Sequence, residues 1–166
     1  MELDQVRTFF DYEPDTGFLR WRVNRSRHKA GAIAGTMKKK HGARWYVQVR
    51  FEGRWYLAHR LIFAWMTGRW PTHQIDHINL DRADNRWSNL REATPSQNAG
   101  NRGVARTNRL GIKGVIVVER YGVKKYEARI RIAGKQKHLG RFDTAQEAHR
   151  AYILAAGEQH QLFARG

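Results

Sequence analysis

An aspartate stands directly against a histidine, Asp76-His77, at the start of "IDHINLDRADNRWSNLREATPSQNAGN", residues 75–101. Five asparagines follow within the same stretch: Asn79, Asn85, Asn89, Asn98 and Asn101. Asparagine is a poor helix former and is depleted from strands, so the cluster calls for a chemical reason. Hydrolysis of a phosphodiester supplies one. A water must lose a proton, while a divalent ion polarises the phosphate and stabilises the leaving oxygen. Asp76 offers the hard oxygen that such an ion takes, and His77 offers an imidazole as general base. A base also needs its ring held in one tautomer by an acceptor on the other nitrogen. An asparagine side-chain carbonyl does this without adding charge.

These groups must be positioned by local structure. Neighbours in a strand point to opposite faces, so aiming both Asp76 and His77 at one phosphate predicts a turn or twist, and "NLDRADN" supplies turn formers. Downstream, "ATPSQN" reads as a helix start, with Thr94 as N-cap, Pro95 at N1 and Gln97 completing a capping box. Asn98 falls in the first turn, where its amide oxygen could complete a metal site.

The wider chain is built to meet a polyanion. Its 166 residues carry 31 Lys and Arg against 15 Asp and Glu, a formal charge of +16 with pI near 10.9. The charge is spread: residues 1–103 hold 18 basic and 10 acidic side chains, and residues 104–166 hold 13 and 5. Such a field attracts phosphate backbones. At 41% hydrophobic residues, the chain can also bury a core. No cysteine is present, which excludes disulfides and thiolate zinc sites and leaves O and N ligands suited to Mg²⁺ or Mn²⁺. The longest apolar run, "LIFAWM", is too short to span a bilayer. "MELDQVRTFF" lacks the basic start and apolar core of a signal peptide. The expected location is therefore the cytoplasm, with no membrane partner.

Element signals run along the chain. "FLRWRV" and "RWYVQVRF" read as strands, and "SRHKAGAIAGTMKKKHG" as loop with a lysine run. "AHRLIFAWMTG" reads as a buried helix stopped by Gly68. "AGNRGVARTNRLG", residues 99–111, is polar and aperiodic and reads as a linker. Beyond it, "KGVIVVE", "KYEARIRI" and "GKQKHLGRF" read as three strands. A helix "DTAQEAHRAYILAAGEQH" follows, opened by a Thr144/Glu147 capping box. Alternation places Tyr126, Ala128, Ile130 and Ile132 on one face and Glu127, Arg129 and Arg131 on the other.

The stretch "HRLIFAWMTGRWPTHQIDHINLDRADNRWSNLREATPSQNAGN", residues 59–101, resembles the HNH endonucleases, in the branch common among phage and intron-encoded homing endonucleases. Upstream, "FFDYEPDTGFLRWR" and "AGAIAGT" resemble the N-terminal parts of such phage proteins. The resemblance implies a ββα-metal fold with one divalent ion, Mg²⁺ or Mn²⁺, and no zinc. It casts Asp76 as a metal ligand, Asn98 as the second ligand and His77 as general base. It casts Asn89 as the group orienting His77, Asn85 as the holder of the loop, and His59 as structural support.

The segment from Gly111 to about His160 resembles the plant ethylene-response-factor (Apetala-type) DNA-binding domain, through "KGV", "KYEARIRI" and "LGRFDTAQEAHRAY". Tyr126 stands where that family has a tryptophan, and "GVIVV" stands where an arginine often follows "GV". The resemblance implies DNA contacts from Arg129 and Arg131, with Lys113, Lys125 and Lys137.

The expected fold class is α+β: a nuclease domain over residues 1–103, a linker over 104–110, and a three-stranded antiparallel sheet packed on one helix over 111–166. The expected function is metal-dependent hydrolysis of double-stranded DNA by a homing-type endonuclease that requires no protein partner. A non-catalytic DNA-binding regulator with a decayed site is the alternative, and the intact set Asp76, His77, Asn89 and Asn98 argues against it. An RNA-binding or RNA-cleaving protein is a third reading, through base stacking on Trp and Tyr.

Overall fold

In a computed structural model, the structure describes residues 1–40, 44–104, 107–132 and 134–160. The chain divides into two compact units, Met1–Ala93 and Thr94–Gly166. The boundary thus falls ten residues upstream of the one expected from composition.

The first unit opens with helix α1 (Leu3–Phe9) and a hairpin of β1 (Phe10–Glu13) and β2 (Phe18–Trp21). A three-stranded antiparallel sheet follows, ordered β3 (Thr36–Lys40), β4 (Arg44–Phe51), β5 (Arg54–Leu57). The lysine run read as loop is therefore strand. Lysines are favoured on an edge strand because they discourage pairing with another chain, and β3 is an edge. Helix α2 (Ala58–Thr67) comes next, then a two-stranded ribbon of β6 (Gln74–His77) and β7 (Leu90–Ala93).

Helix α2 buries Ala58, His59, Leu61, Ile62, Phe63 and Ala64. Fully burying each large apolar side chain is worth about 1.5–3 kcal/mol. They pack with Val6, Phe10, Leu19, Trp21, Val49 and Phe51 into one core. The Trp65 indole N–H donates to Phe10 O at 3.0 Å, and the Arg7 guanidinium donates to Trp65 O at 2.6 and 2.9 Å, so α1 and β1 are tied to α2. Gly68 ends the helix in the left-handed region (φ 69°), and its N–H bonds Ala64 O, as expected.

The second unit begins with helix α3 (Pro95–Asn101). Its N-terminus carries the expected box: Thr94 Oγ1 accepts from Gln97 N–H, and Gln97 Oε1 accepts from Thr94 N–H. An antiparallel sheet of β8 (Val115–Arg120), β9 (Val123–Ile132) and β10 (Lys135–Phe142) follows, with β9 central, and then helix α4 (Ala145–His160). Ala128, Ile130, Ala148, Tyr152 and Ala156 are buried in its packing clusters. At Gly114 (φ 75°) a Cβ would lie 2.0 Å from the Tyr152 ring, so only glycine lets the strand approach the helix here.

The expected linker is partly structured. Ala99–Asn101 belong to α3. Asn108 Nδ2 donates to Ile112 O and Val115 O, and Leu110 packs against the core. Residues 105 and 106 of the linker and 161–166 of the C-terminal domain lie outside the described residues.

Candidate active site

Strand β6 delivers Asp76 and His77 as its last two residues, both buried. They alternate as a strand dictates. Asp76 pairs in register with Arg91 of β7, which donates Nε and Nη2 to Asp76 Oδ2, each at 3.0 Å. His77 instead meets the His59 ring edge-on at 5.1 Å and the side chain of Asn85. The expected turn comes after the pair: Leu80 N–H bonds His77 O, and Leu80 has φ 68°.

The loop between the two strands is closed by its own short polar side chains. Asn89 Oδ1 accepts from Asn79 N–H at 2.9 Å, and Asn89 Nδ2 donates to Asn79 Oδ1 and to Asp84 O. Asn79 Nδ2 donates to Asp84 Oδ2, and Asp81 Oδ1 accepts from Ala83 N–H. The Arg86 guanidinium hydrogen-bonds both carboxylate oxygens of Asp84 and holds that carboxyl at about 2.

The two asparagines stand at different places from those the implied roles suggest. Asn85, expected to hold the loop, places Oδ1 3.2 Å from His77 Nε2. Asn89, expected to orient the ring, holds the loop instead. The reason lies in where the backbone puts each residue. Asn89 ends the 3-10 turn Trp87–Asn89 and reaches back to Asn79 and Asp84, while Asn85 is delivered to the ring by a separate anchor. That anchor is the N-terminal hairpin: the buried Tyr12 hydroxyl donates to Asn85 O at 2.8 Å, and Trp87 N–H bonds Pro14 O. Gly17 completes the contact, because a Cβ there would lie 2.5 Å from Arg86 N.

The electrostatics fit a base. Asn85 Nδ2 donates to Ala83 O, which directs Oδ1 toward the ring. A carbonyl oxygen only accepts, so this contact favours the tautomer with its proton on His77 Nε2. Burial is the main influence on the imidazole and pushes its pKa below 6.5, opposed by the Asn85 hydrogen bond and by Asp76. The shift favours the neutral imidazole, the form that can accept a proton.

Residues 56–100 match the HNH endonuclease family model. The match supports an HNH nuclease domain in this part of the chain, and such a domain implies DNA as substrate. It spans His59, Asp76, His77, Asn85, Asn89 and Asn98. No curated protein and no solved structure matches the chain. Among the described residues, no helix is long and apolar enough to cross a membrane.

Sequence reading missed Arg91 and Tyr12. Arg91 was recoverable by pairing "QIDH" against "LREA", which sets it opposite Asp76. Tyr12 lies 73 residues from its partner and carries no local signal.

In the second unit, Asn98 lies on α3. Arg129 and Arg131 alternate with the buried Ala128 and Ile130, on the sheet face away from α4. Arg129 Nη2 donates to Glu127 Oε2 at 2.6 Å, and Arg141 Nη2 donates to Glu127 Oε1 at 2.8 Å. Arg131 is exposed. Lys125 pairs with Asp143, and Lys113 Nζ donates to Gly100 O. Lys137 pairs in register with Ile130 and so falls on the helix-facing side, away from the two arginines.

Proposed function

We propose that the protein is a divalent-metal-dependent DNA endonuclease of the homing type, with a C-terminal Apetala-type module that positions it on its target. The observation carrying this reading is the buried His77, with Asn85 Oδ1 3.2 Å from its Nε2 and the carboxylate of Asp76 adjacent in sequence. His77 takes the proton from the water that attacks the scissile phosphorus. Asn85 keeps the other proton on Nε2 throughout, and Tyr12 keeps Asn85 in place.

The donor set fits a hard cation. Mg²⁺ binds through one or two carboxylates and fills its remaining positions with water and substrate phosphate oxygens. Among the described residues no group of three or more His, Asp or Glu is placed to hold a metal, and the carboxylate next to His77 in sequence is Asp76. Asp76 would hold the ion; for Asn98 as second ligand the assignment rests on the resemblance. Once bound, the ion would supply charge stabilisation for the leaving oxygen. Arg91 orients the Asp76 carboxylate through its two bonds to Oδ2.

The same Arg91 contact favours one rival, a DNA-binding regulator whose acidic ligand is neutralised by arginine. Supercoiled plasmid separates the two readings. Metal-dependent nicking, abolished by chelator and by His77→Ala, is expected of the nuclease. Tight duplex binding with no nicking, even on a selected target site, would establish the regulator.

A further inference from the structure

Strands β3, β4 and β5 carry Lys38, Lys39, Lys40, Arg44, Arg50 and Arg54 and no aspartate or glutamate. Their register sorts Lys38 and Arg50 onto one face and Lys39 and Arg54 onto the other. Val47, Val49, Phe51 and Tyr56 pack on the core. On the opposite face Lys38 lies beside Tyr46, and Arg50 beside Trp55. Lys38, Arg50 and Trp55 are all exposed.

The cations on this face are held over aromatic rings. Lys38 Nζ stands 3.7 Å from the Trp55 ring centre, and the Arg50 guanidinium 5.9 Å from it. Arg82, from the loop after β6, lies over the Tyr46 ring at 5.4 Å and donates Nε to its hydroxyl at 3.1 Å. A cation docked on a ring has already lost part of its freedom, so it costs less to fix against a phosphate. The face also leads to the chemistry. The Tyr46 ring meets His59 at 5.7 Å, and His59 meets His77 at 5.1 Å.

We propose that this open sheet face is a track for the phosphate backbone of duplex DNA, running to His77, with Lys38, Arg50 and Arg82 as phosphate contacts. Charge complementarity identifies the occupant. Trp55 and Tyr46 act as platforms for the cations rather than for bases, because Lys38 and Arg82 lie over their rings. The choice of DNA rests on the nuclease reading, but the surface is tested by binding alone.

The test uses the full chain carrying His77→Ala and a random-sequence duplex, with affinity measured across a salt series. Lys38→Gln with Arg50→Gln is expected to lower the log–log salt slope by about 2, since each phosphate contact contributes roughly 0.9. Lys39→Gln with Arg54→Gln removes equal charge from the other register face and is expected to keep the parent slope. Lys38→Arg with Arg50→Lys is expected to restore the slope, which separates lost contacts from lost fold. An unchanged slope in the first pair, or equal falls in both Gln pairs, overturns the proposal. So does tighter binding of a single-stranded oligonucleotide with the loss confined to it. Plasmid nicking by the unmutated chain is scored separately. Its absence on plasmid and on a selected target site, beside a lowered slope, would remove the nuclease reading and keep the track.

Discussion

At the level of single residues, the site turns on which asparagine reaches the imidazole. Asn85→Ala removes the acceptor from His77 Nε2 while leaving the Asn79–Asp84–Asn89 network untouched. Loss of a group that orients a reacting ligand or base commonly costs about 10–100-fold. We expect a fall of that size in plasmid nicking, with a drop in melting temperature smaller than that of Asn89→Ala, because two side-chain hydrogen bonds are lost and not three. Asn89→Ala should do the reverse first. It breaks three hydrogen bonds of a buried side chain, and each buried polar group left unpaired costs about 1–3 kcal/mol, so thermal melting should drop markedly. A loss of nicking in Asn89→Ala with no drop in melting would return Asn89 to the imidazole. Tyr12→Phe tests the anchor behind Asn85: nicking should fall, with duplex affinity unchanged, as the carbonyl of Asn85 loses its donor.

At the level of elements, caps and ion pairs decide stability. Thr94→Ala removes a hydroxyl that accepts from Gln97 N–H and should cost about 1 kcal/mol in chemical denaturation. Gly114→Ala should cost about 1–3 kcal/mol by overpacking, since the added carbon meets the Tyr152 ring. Glu127 gives the second sheet a pH dependence. Hydrogen bonds from Arg141 and then Arg129 hold its carboxyl at about 2, against an ordinary 4.5. A lowered carboxylate pKa means that the unfolded chain binds more protons in this window, so stability rises with pH. The contribution is complete above about pH 4.5 and is lost as pH falls toward 2. Glu127→Gln should therefore destabilise the protein at neutral pH, with the difference from the parent closing near pH 2. A difference that persists unchanged in acid would show that packing, not charge, holds this position.

At the level of the whole molecule, positive charge on both compact units makes salt the informative variable. Arg131 is exposed, whereas Arg129 shares Glu127 with Arg141. If the C-terminal sheet grips DNA, Arg129→Ala with Arg131→Ala should weaken duplex binding and lower the salt slope by up to about 2. The larger share should come from Arg131, whose charge is not engaged by Glu127. A slope that does not move would take this face out of the interface and leave the N-terminal unit as the binding surface.

The sequence by itself determined what is local. Gly68, the Thr94/Gln97 box and the Thr144/Glu147 box mark helix ends because capping is satisfied within a few residues. The alternation in "KYEARIRI" fixed which residues of β9 could be buried, because side chains repeat every two. Composition pointed to a polyanionic partner, and Asp76-His77 to the chemistry we propose, since few residue pairs serve metal-assisted hydrolysis. Only the tertiary structure decided what depends on long loops closing. It chose Asn85 over Asn89 for His77, set Arg91 against Asp76, and brought Tyr12 to a residue 73 positions away. It also turned the lysine run into an edge strand through pairing with β4, since pairing to a neighbour overrides weak local propensity.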